Sequence, residues 1–524
     1  MVSFRTANSW GRSRARFPWG IVGLTLFALG CSDEVPLGRI RPQACDFVDP
    51  PAEKVRVELL TFWSGDEQES RALSVLQDRA EKVPLHYSET SDADRPTLQH
   101  NLQEGNSTVL PDVFQVNGGS DVLQYVPSSA PASICKLDRL IDEYDVKGRY
   151  FGEALKASQC RTSYFSWPLS IHRLNTLLVN VDAFERVRAY AEQKGIAVTH
   201  PKDMQSADEL LRFLEQVQEW KVPSALGPPL EALALGIQYR DPDLPDQIFG
   251  QEWVLQVVAF ENLLVSYQDH AYERVWYGDG QKDDGKLDAV VDRLAADLAS
   301  IGSLVKSAPQ SWQAAARAVG EGSALLTIGG DWMRAQVDET SLNRREVDNF
   351  AFPGTKDAYV YTPDSFAVPE QSDSDGSAVH RWLSEVVDHA PTQIRFSRVK
   401  QAIPARADLS DSDLAGLNST YLSDSYRQFS RCHRADNTCR LLLAVSGLGP
   451  ASNVDPCFDR LARVIALLAG MESADRQQMA GVPTCPRPMP TSKSDAKAEL
   501  RRVLSAYSQY PYRSECRDHG TITP

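Results

Sequence analysis

Short apolar runs closed by turn signals alternate along the chain with longer stretches in which apolar residues recur every three or four positions. Val55–Phe62, Val109–Val116, Leu174–Val181 and Ala324–Ile328 are of the first kind and predict buried strands. Glu69–Glu81, Ser206–Trp220, Trp253–Tyr267, Lys286–Ser303, Ser311–Val319 and Ala378–Asp388 have helical spacing. Ile134–Tyr150 predicts a helix or several short ones. Phe350–Pro369 returns to strand and turn, broken at Pro353-Gly354-Thr355. Val399–Arg406 predicts extended chain, and the remainder reads as mostly helical.

The organising stretch is Trp167–Phe184. Trp167-Pro168 predicts the end of an extended run, because the residue before a proline is driven toward β or polyproline geometry. Leu174–Val181 then predicts a buried strand, and Asp182 is placed to cap the helix that follows. Strand and helix therefore alternate in two blocks, and this stretch is where the chain is expected to leave one for the other. The pattern is that of two α/β lobes with a cleft between them.

A length of 524 residues suits two to four domains, or two large lobes that share strands. Residues 1–30 contain Arg5, Arg12, Arg14 and Arg16 and no acid. Their apolar run, Gly20–Gly30, is too short to span a bilayer, and the whole reads as an export signal. Phe27–Cys31 fits a bacterial lipoprotein cleavage site, with Cys31 as the lipidated residue and 31–54 as anchor and tether. Such an anchor holds a protein at a membrane, periplasmic or at the cell surface, without spanning it. Without the four arginines the net charge of −15 becomes −19. That surface argues against nucleic acid and anionic lipid as partners. Eight cysteines remain after Cys31, an even number that suggests disulfides in an exported chain. Cys432 and Cys439 flank a polar loop and are the best local pair. No CxxC and no suitably spaced His is present, so no zinc site is expected; no cofactor is expected either.

Two places offer ligand chemistry on residue type. Trp63 and Glu67 follow the first strand; an indole stacks on the C–H face of a sugar, and a carboxylate accepts from paired hydroxyls. Gly329-Gly330-Asp331-Trp332 follows the strand at Ala324: glycines allow close backbone approach, Asp331 would accept from hydroxyls, and Trp332 would pack beneath.

Trp167–Phe184 resembles the crossover segment of extracellular solute-binding proteins of ABC importers, where a proline leads into a run ending in an Asn such as Asn180. The spelling Ile171–Asn175 (IHRLN) points to the glucose/mannose-binding branch. The similarity covers roughly Val55 to Gly470 through six motifs in order. It implies a type II periplasmic-binding-protein-like fold, two α/β lobes joined by hinges near Trp167–Leu169, Phe350–Pro353 and His389. Lobe 1 would be 55–168 plus 351–389. Lobe 2 would be 169–350 plus 390–524, with a cysteine-rich helical tail from about 430.

Carried over residue by residue, the resemblance adds Gln115 and Asp121 from Asp112–Ser120 (DVFQVNGGS), Trp253 before Phe260-Glu261, and Asp364 from Asp364-Ser365-Phe366. It also adds Lys400, in a segment usually written KGSIPAR whose Gly-Ser is here Gln401-Ala402. Phe62 stands where the family often has a first Trp. The implied protein is a monomer that captures a sugar and delivers it to a membrane permease driven by a separate ATPase.

Enzyme motifs are missing: no GxSxG, no P-loop, no HExxH. A glycoside hydrolase using Glu67 and Asp331 is the enzymatic alternative. A lipoprotein that keeps the fold without transport, as a sensor or in a surface structure, is the other.

Overall fold

A computed structural model describes residues 45, 57–61, 67–79, 85–89, 98, 100–102, 110–123, 125–126, 133–240, 248–251, 253–267, 269–276, 284–305, 311–340, 347–370, 376–434, 439–444, 461–471 and 490–509. The export signal, Cys31 and Trp63 lie outside these residues. Glu67 opens the helix Glu67–Arg79, and its side chain lies outside the description.

Two sheets organise the body of the chain. The larger runs in the order Ile403–Pro404, Trp167–Arg173, Ala358–Ala367, Val113–Asn117, Val57–Thr61, Leu85–Glu89. Arg440–Leu443 also pairs with Ala358–Ala367, parallel, along Ala358 to Tyr361. The smaller runs Val347–Ala351, Thr176–Asn180, Ala324–Gly329, Glu231–Leu233. Trp167–Arg173 and Ala358–Ala367 are buried at every position, which accounts for their lack of polar–apolar alternation. The strands at Leu85–Glu89 and Arg440–Leu443 carry no strong sequence signal and were not expected.

The chain crosses between sheets twice within the described residues. Trp167–Arg173 belongs to the larger sheet and Thr176–Asn180 to the smaller, so the first crossing is Leu174-Asn175. Val347–Ala351 belongs to the smaller and Ala358–Ala367 to the larger, so the second lies in 352–357, next to the expected position at Phe350–Pro353.

The first crossing lies later than the expected Trp167–Leu169, because Pro168 does not end its strand. Pro168 pairs with Ser365 where the register shifts between Asp364 and Ser365, an irregularity in which a residue without an N–H is tolerated.

The chain does not change lobe at His389. Ala390–Lys400 packs on Glu67–Arg79, Ile403–Pro404 pairs with Trp167–Arg173, and Arg440–Leu443 joins the same sheet. Further on, Leu461–Ala469 and Lys493–Gln509 lie against Asp284–Leu304, on the side of the smaller sheet. Those helices meet backbone to backbone at Gly302, where a Cβ would fall 1.7 Å from the Ala469 carbonyl oxygen.

Val399–Arg406 is not extended throughout. The helix runs to Lys400, Gln401 takes a left-handed φ of 56°, and only Ile403–Pro404 is strand. The cap of Val181–Gln193 is Asn180, whose side chain accepts from the Ala183 N–H, and not Asp182. The strand simply ends where the helix begins, which leaves the amide side chain at the capping position.

Disulfides join Cys432 to Cys439, the pair expected, and Cys45 to Cys135. Cys160 is also disulfide-bonded.

Candidate functional site

The two crossings are tied together by one buried side chain. Asn175 Nδ2 donates to Thr355 Oγ1 at 2.8 Å and to the Ala358 carbonyl at 3.0 Å. Its Oδ1 accepts from the Val360 N–H at 3.0 Å and from Arg173 Nε at 3.2 Å. Its own carbonyl accepts from the Phe352 N–H. All the amide's capacity is therefore spent on the hinge.

Just ahead of the hinge, His172 stands between two carboxylates. Its Nδ1 is 2.6 Å from Asp331 Oδ1, and its Nε2 is 3.2 Å from Asp364 Oδ2. Asp331 follows a strand of the smaller sheet, whereas His172 and Asp364 lie on neighbouring strands of the larger. The other oxygen of Asp331 accepts from the Arg173 N–H at 2.9 Å, and the Asp331 N–H donates to the Arg173 carbonyl. The loop after Ala324–Gly329 is thus stitched to the end of Trp167–Arg173.

Burial opposes the imidazolium, but the carboxylates of Asp331 and Asp364 outweigh it and raise His172 to about 9. Burial would also raise Asp364; His172, Lys400 and Gln115 overcome that and hold it below its ordinary range. Asp331, with no exposed surface, is raised by burial in spite of the same histidine. The cluster is one cation shared by two carboxylates.

Around it the expected residues fall as follows. Gln115 Nε2 reaches Asp364 Oδ1 at 3.4 Å and Asn117 Oδ1 at 3.3 Å. Ser170 Oγ donates to Asp364 Oδ2 at 3.4 Å. Lys400 is buried and acts on Asp364 through its charge. Trp332 sets its ring nearly perpendicular to His172 at 5.6 Å, and Trp253 lies 6.1 Å from Trp332. Gly330 makes this possible, since a Cβ there would lie 1.8–2.2 Å from the Trp332 ring.

Gln115, Trp253, Asp331, Asp364 and Lys400 therefore gather at the junction of the sheets. Asp121 does not join the cluster; it is fully buried, and its Oδ2 accepts from the Asn117 N–H. His172 was not singled out from the sequence, though it sits in the IHRLN spelling. A lone buried histidine is ambiguous until both carboxylates are seen beside it. The hydroxyls of Thr61 and Thr362, on the larger sheet, are buried without a partner among the described residues.

The larger sheet thus presents amides, a hydroxyl and a carboxylate around Asp364, and His172 links them to Trp332, which lies beside Trp253. Amides, hydroxyls and carboxylates are groups that hydrogen-bond hydroxyls, and indoles are groups that cover a C–H face.

No protein-family model matches the chain. A Pyrococcus horikoshii protein described as an uncharacterized ABC transporter extracellular-binding protein is 24% identical over 300 residues, 57% of this chain and 59% of that one. A probable sugar-binding periplasmic protein of Mesorhizobium japonicum is 21% identical over 71% of this chain and 81% of its own length. Among solved structures, a bacterial solute receptor with exclusive preference for β-D-galactopyranose superposes with TM-score 0.60 at 14% identity, covering 87% of this chain and 99% of that one. A chitin oligosaccharide binding protein gives 0.58 at 14% identity, covering 86% and 98%. The fold is that of the type II periplasmic binding proteins, two α/β lobes with a cleft between them, and in sequence the chain is similar to ABC transporter and sugar-binding extracellular proteins.

Proposed function

We propose that this protein is the sugar-capturing subunit of an ABC importer, exported and held at a membrane through Cys31. The observation that carries the reading is that His172 has the Trp332 ring, itself beside Trp253, on one side and Asp364, which Gln115 reaches, on the other. A ligand held by both lobes gains contacts that an open form lacks, and this couples capture to closure. The closed form would then dock on a permease powered by a separate ATPase.

The ligand is a neutral sugar of the glucose/mannose type or a short oligosaccharide, as the IHRLN spelling suggests. Asp331 serves the site from below: both of its oxygens are taken by His172 and the Arg173 N–H, and so it positions Trp332 and the histidine instead of facing the sugar. That occupation also speaks against Asp331 as half of a hydrolytic pair with Glu67. Trp63 and Glu67 would complete the large-sheet side.

The test is thermal unfolding of the chain from Ser32 onward against a panel of mono- and oligosaccharides. A ligand at 100 times its Kd adds about 2.7 kcal/mol, enough to move the midpoint by a degree or more. A selective shift, lost in Trp332→Ala and accompanied by unaltered sugar in the sample, supports a binder. A folded protein with no shift across the panel rejects sugar capture.

A further inference from the structure

The hinge has a second face. Residues of a strand alternate in direction, so the neighbours His172 and Arg173 point to opposite sides of the larger sheet. His172 enters the cluster described above. The guanidinium of Arg173 turns the other way, lies 4.6 Å over the Tyr359 ring, donates to Gln428 Oε1 at 2.8 Å, and enters the wall of a cavity of about 480 Å³.

The walls of this cavity come from both lobes. One is Val347–Ala351, the edge strand of the smaller sheet, with Arg334 behind it. The other is the helix Thr420–His433, which packs on strands of the larger sheet. Arg173, Arg334 and Lys356 supply three positive charges against the carboxylates of Asp348 and Asp424, and Asp424 already faces Arg427 at 3.4 Å. In a chain of net charge −15 this is a local positive excess.

Two groups in the wall are unspent. Both amide atoms of Asn349 and the hydroxyl of Tyr421 are buried without a hydrogen-bond partner among the described residues. Buried polar atoms are ordinarily paired, and leaving one unpaired costs roughly 1–3 kcal/mol. Guanidinium groups suit a phosphate in geometry as well as charge, and an amide, a phenol and a carboxylate suit hydroxyls.

The geometry points to a second ligand site at the back of the hinge that takes a small phosphorylated sugar, its phosphate on Arg334, Arg173 and Lys356 and its hydroxyls on Asn349, Tyr421 and Asp348. A hexose monophosphate is of a size with the cavity. The site stands apart from the proposed sugar cleft and does not rest on that reading. Because its walls belong to different lobes, its occupant acts on the hinge angle, and any effect on ligand affinity at the front is reciprocal.

Calorimetric titration of the chain from Ser32 onward with glucose 6-phosphate, inorganic phosphate and glucose tests this. Glucose 6-phosphate is expected to bind more tightly than phosphate, with affinity falling as salt is raised. Arg334→Gln and Tyr421→Phe are each expected to weaken glucose 6-phosphate at least tenfold while leaving the unliganded midpoint within a degree or two. Trp332→Ala, on the front face, should leave it unchanged. No heat with either phosphate probe on folded wild-type protein would overturn the proposal. So would glucose 6-phosphate binding that survives both rear variants and disappears in Trp332→Ala, an outcome that would move it to the front cleft and leave the sugar reading standing.

Discussion

His172 Nδ1 lies 2.6 Å from Asp331 Oδ1, so that a strand of one sheet and the loop that follows a strand of the other meet through a buried ion pair. The histidine is raised to about 9 because the carboxylates of Asp331 and Asp364 outweigh the cost of burying its charge. The folded state therefore holds a proton that the unfolded chain releases near pH 6.5. That stabilisation is fully present below pH 6.5 and is lost as pH rises through about 9, with a slope of roughly 1–1.5 kcal/mol per pH unit between. Urea unfolding at pH 6, 7.5 and 9 should show the decline. His172→Gln should abolish the decline between pH 6.5 and 9 and leave one of the same sign at more acid pH, because two buried carboxylates without their cation are relieved by taking up protons.

Gly330→Ala tests the placing of Trp332. The added methyl cannot share space with a ring 1.8–2.2 Å away, so the indole must swing off His172. The expected outcome is loss of sugar-induced stabilisation and a changed tryptophan emission, with the far-ultraviolet circular dichroism of the wild type. An unchanged sugar shift would remove Trp332 from the cleft.

Asn175→Ala should weaken the hinge itself. It strands the Val360 N–H, while the Ala358 carbonyl keeps only its bond from Arg173 Nη2. The cost is roughly 1–3 kcal/mol for one orphaned backbone group. Asn175→Asp should be no better, because a carboxylate would then face the Ala358 carbonyl. Amide hydrogen exchange at Val360 and Phe352 reports the opening locally, and protection equal to wild type would contradict the assignment.

The disulfides should differ in worth. Cys45–Cys135 spans 90 residues and Cys432–Cys439 only 7. On loop-entropy grounds the long link is worth about 4–5 kcal/mol and the short one about 2–3. Paired Cys→Ser variants compared by chemical denaturation should keep that order.

Much of this was readable beforehand. The alternation of short apolar runs and amphipathic stretches gave the two lobes, and the Gly330-Asp331-Trp332 motif lies where the two sheets meet. The first hinge was misplaced because proline normally breaks a strand, whereas here Pro168 sits at a register shift that no local pattern announces. The return at His389 misled for another reason. Helix Ala390–Lys400 has no strongly one-sided apolar face, so its packing on Glu67–Arg79 is a tertiary fact.

Gln401 shows the opposite case. The resembling segment carries glycine there, and this chain keeps the left-handed turn with a residue poorly suited to it, its side chain donating back to the Arg398 carbonyl. His172 and Asn175 escaped notice as chemistry because each looks, alone, like one more polar residue in a buried strand. Asp331 and Val360, which reveal their roles, lie 159 and 185 residues away.

The adjacency of His172 and Arg173 carries a mechanical consequence. A single peptide unit serves as fulcrum for both faces of the sheet, so a twist of that unit lifts one side chain as it lowers the other. A movement of that unit would therefore be felt on both faces at once, as across the beam of a balance.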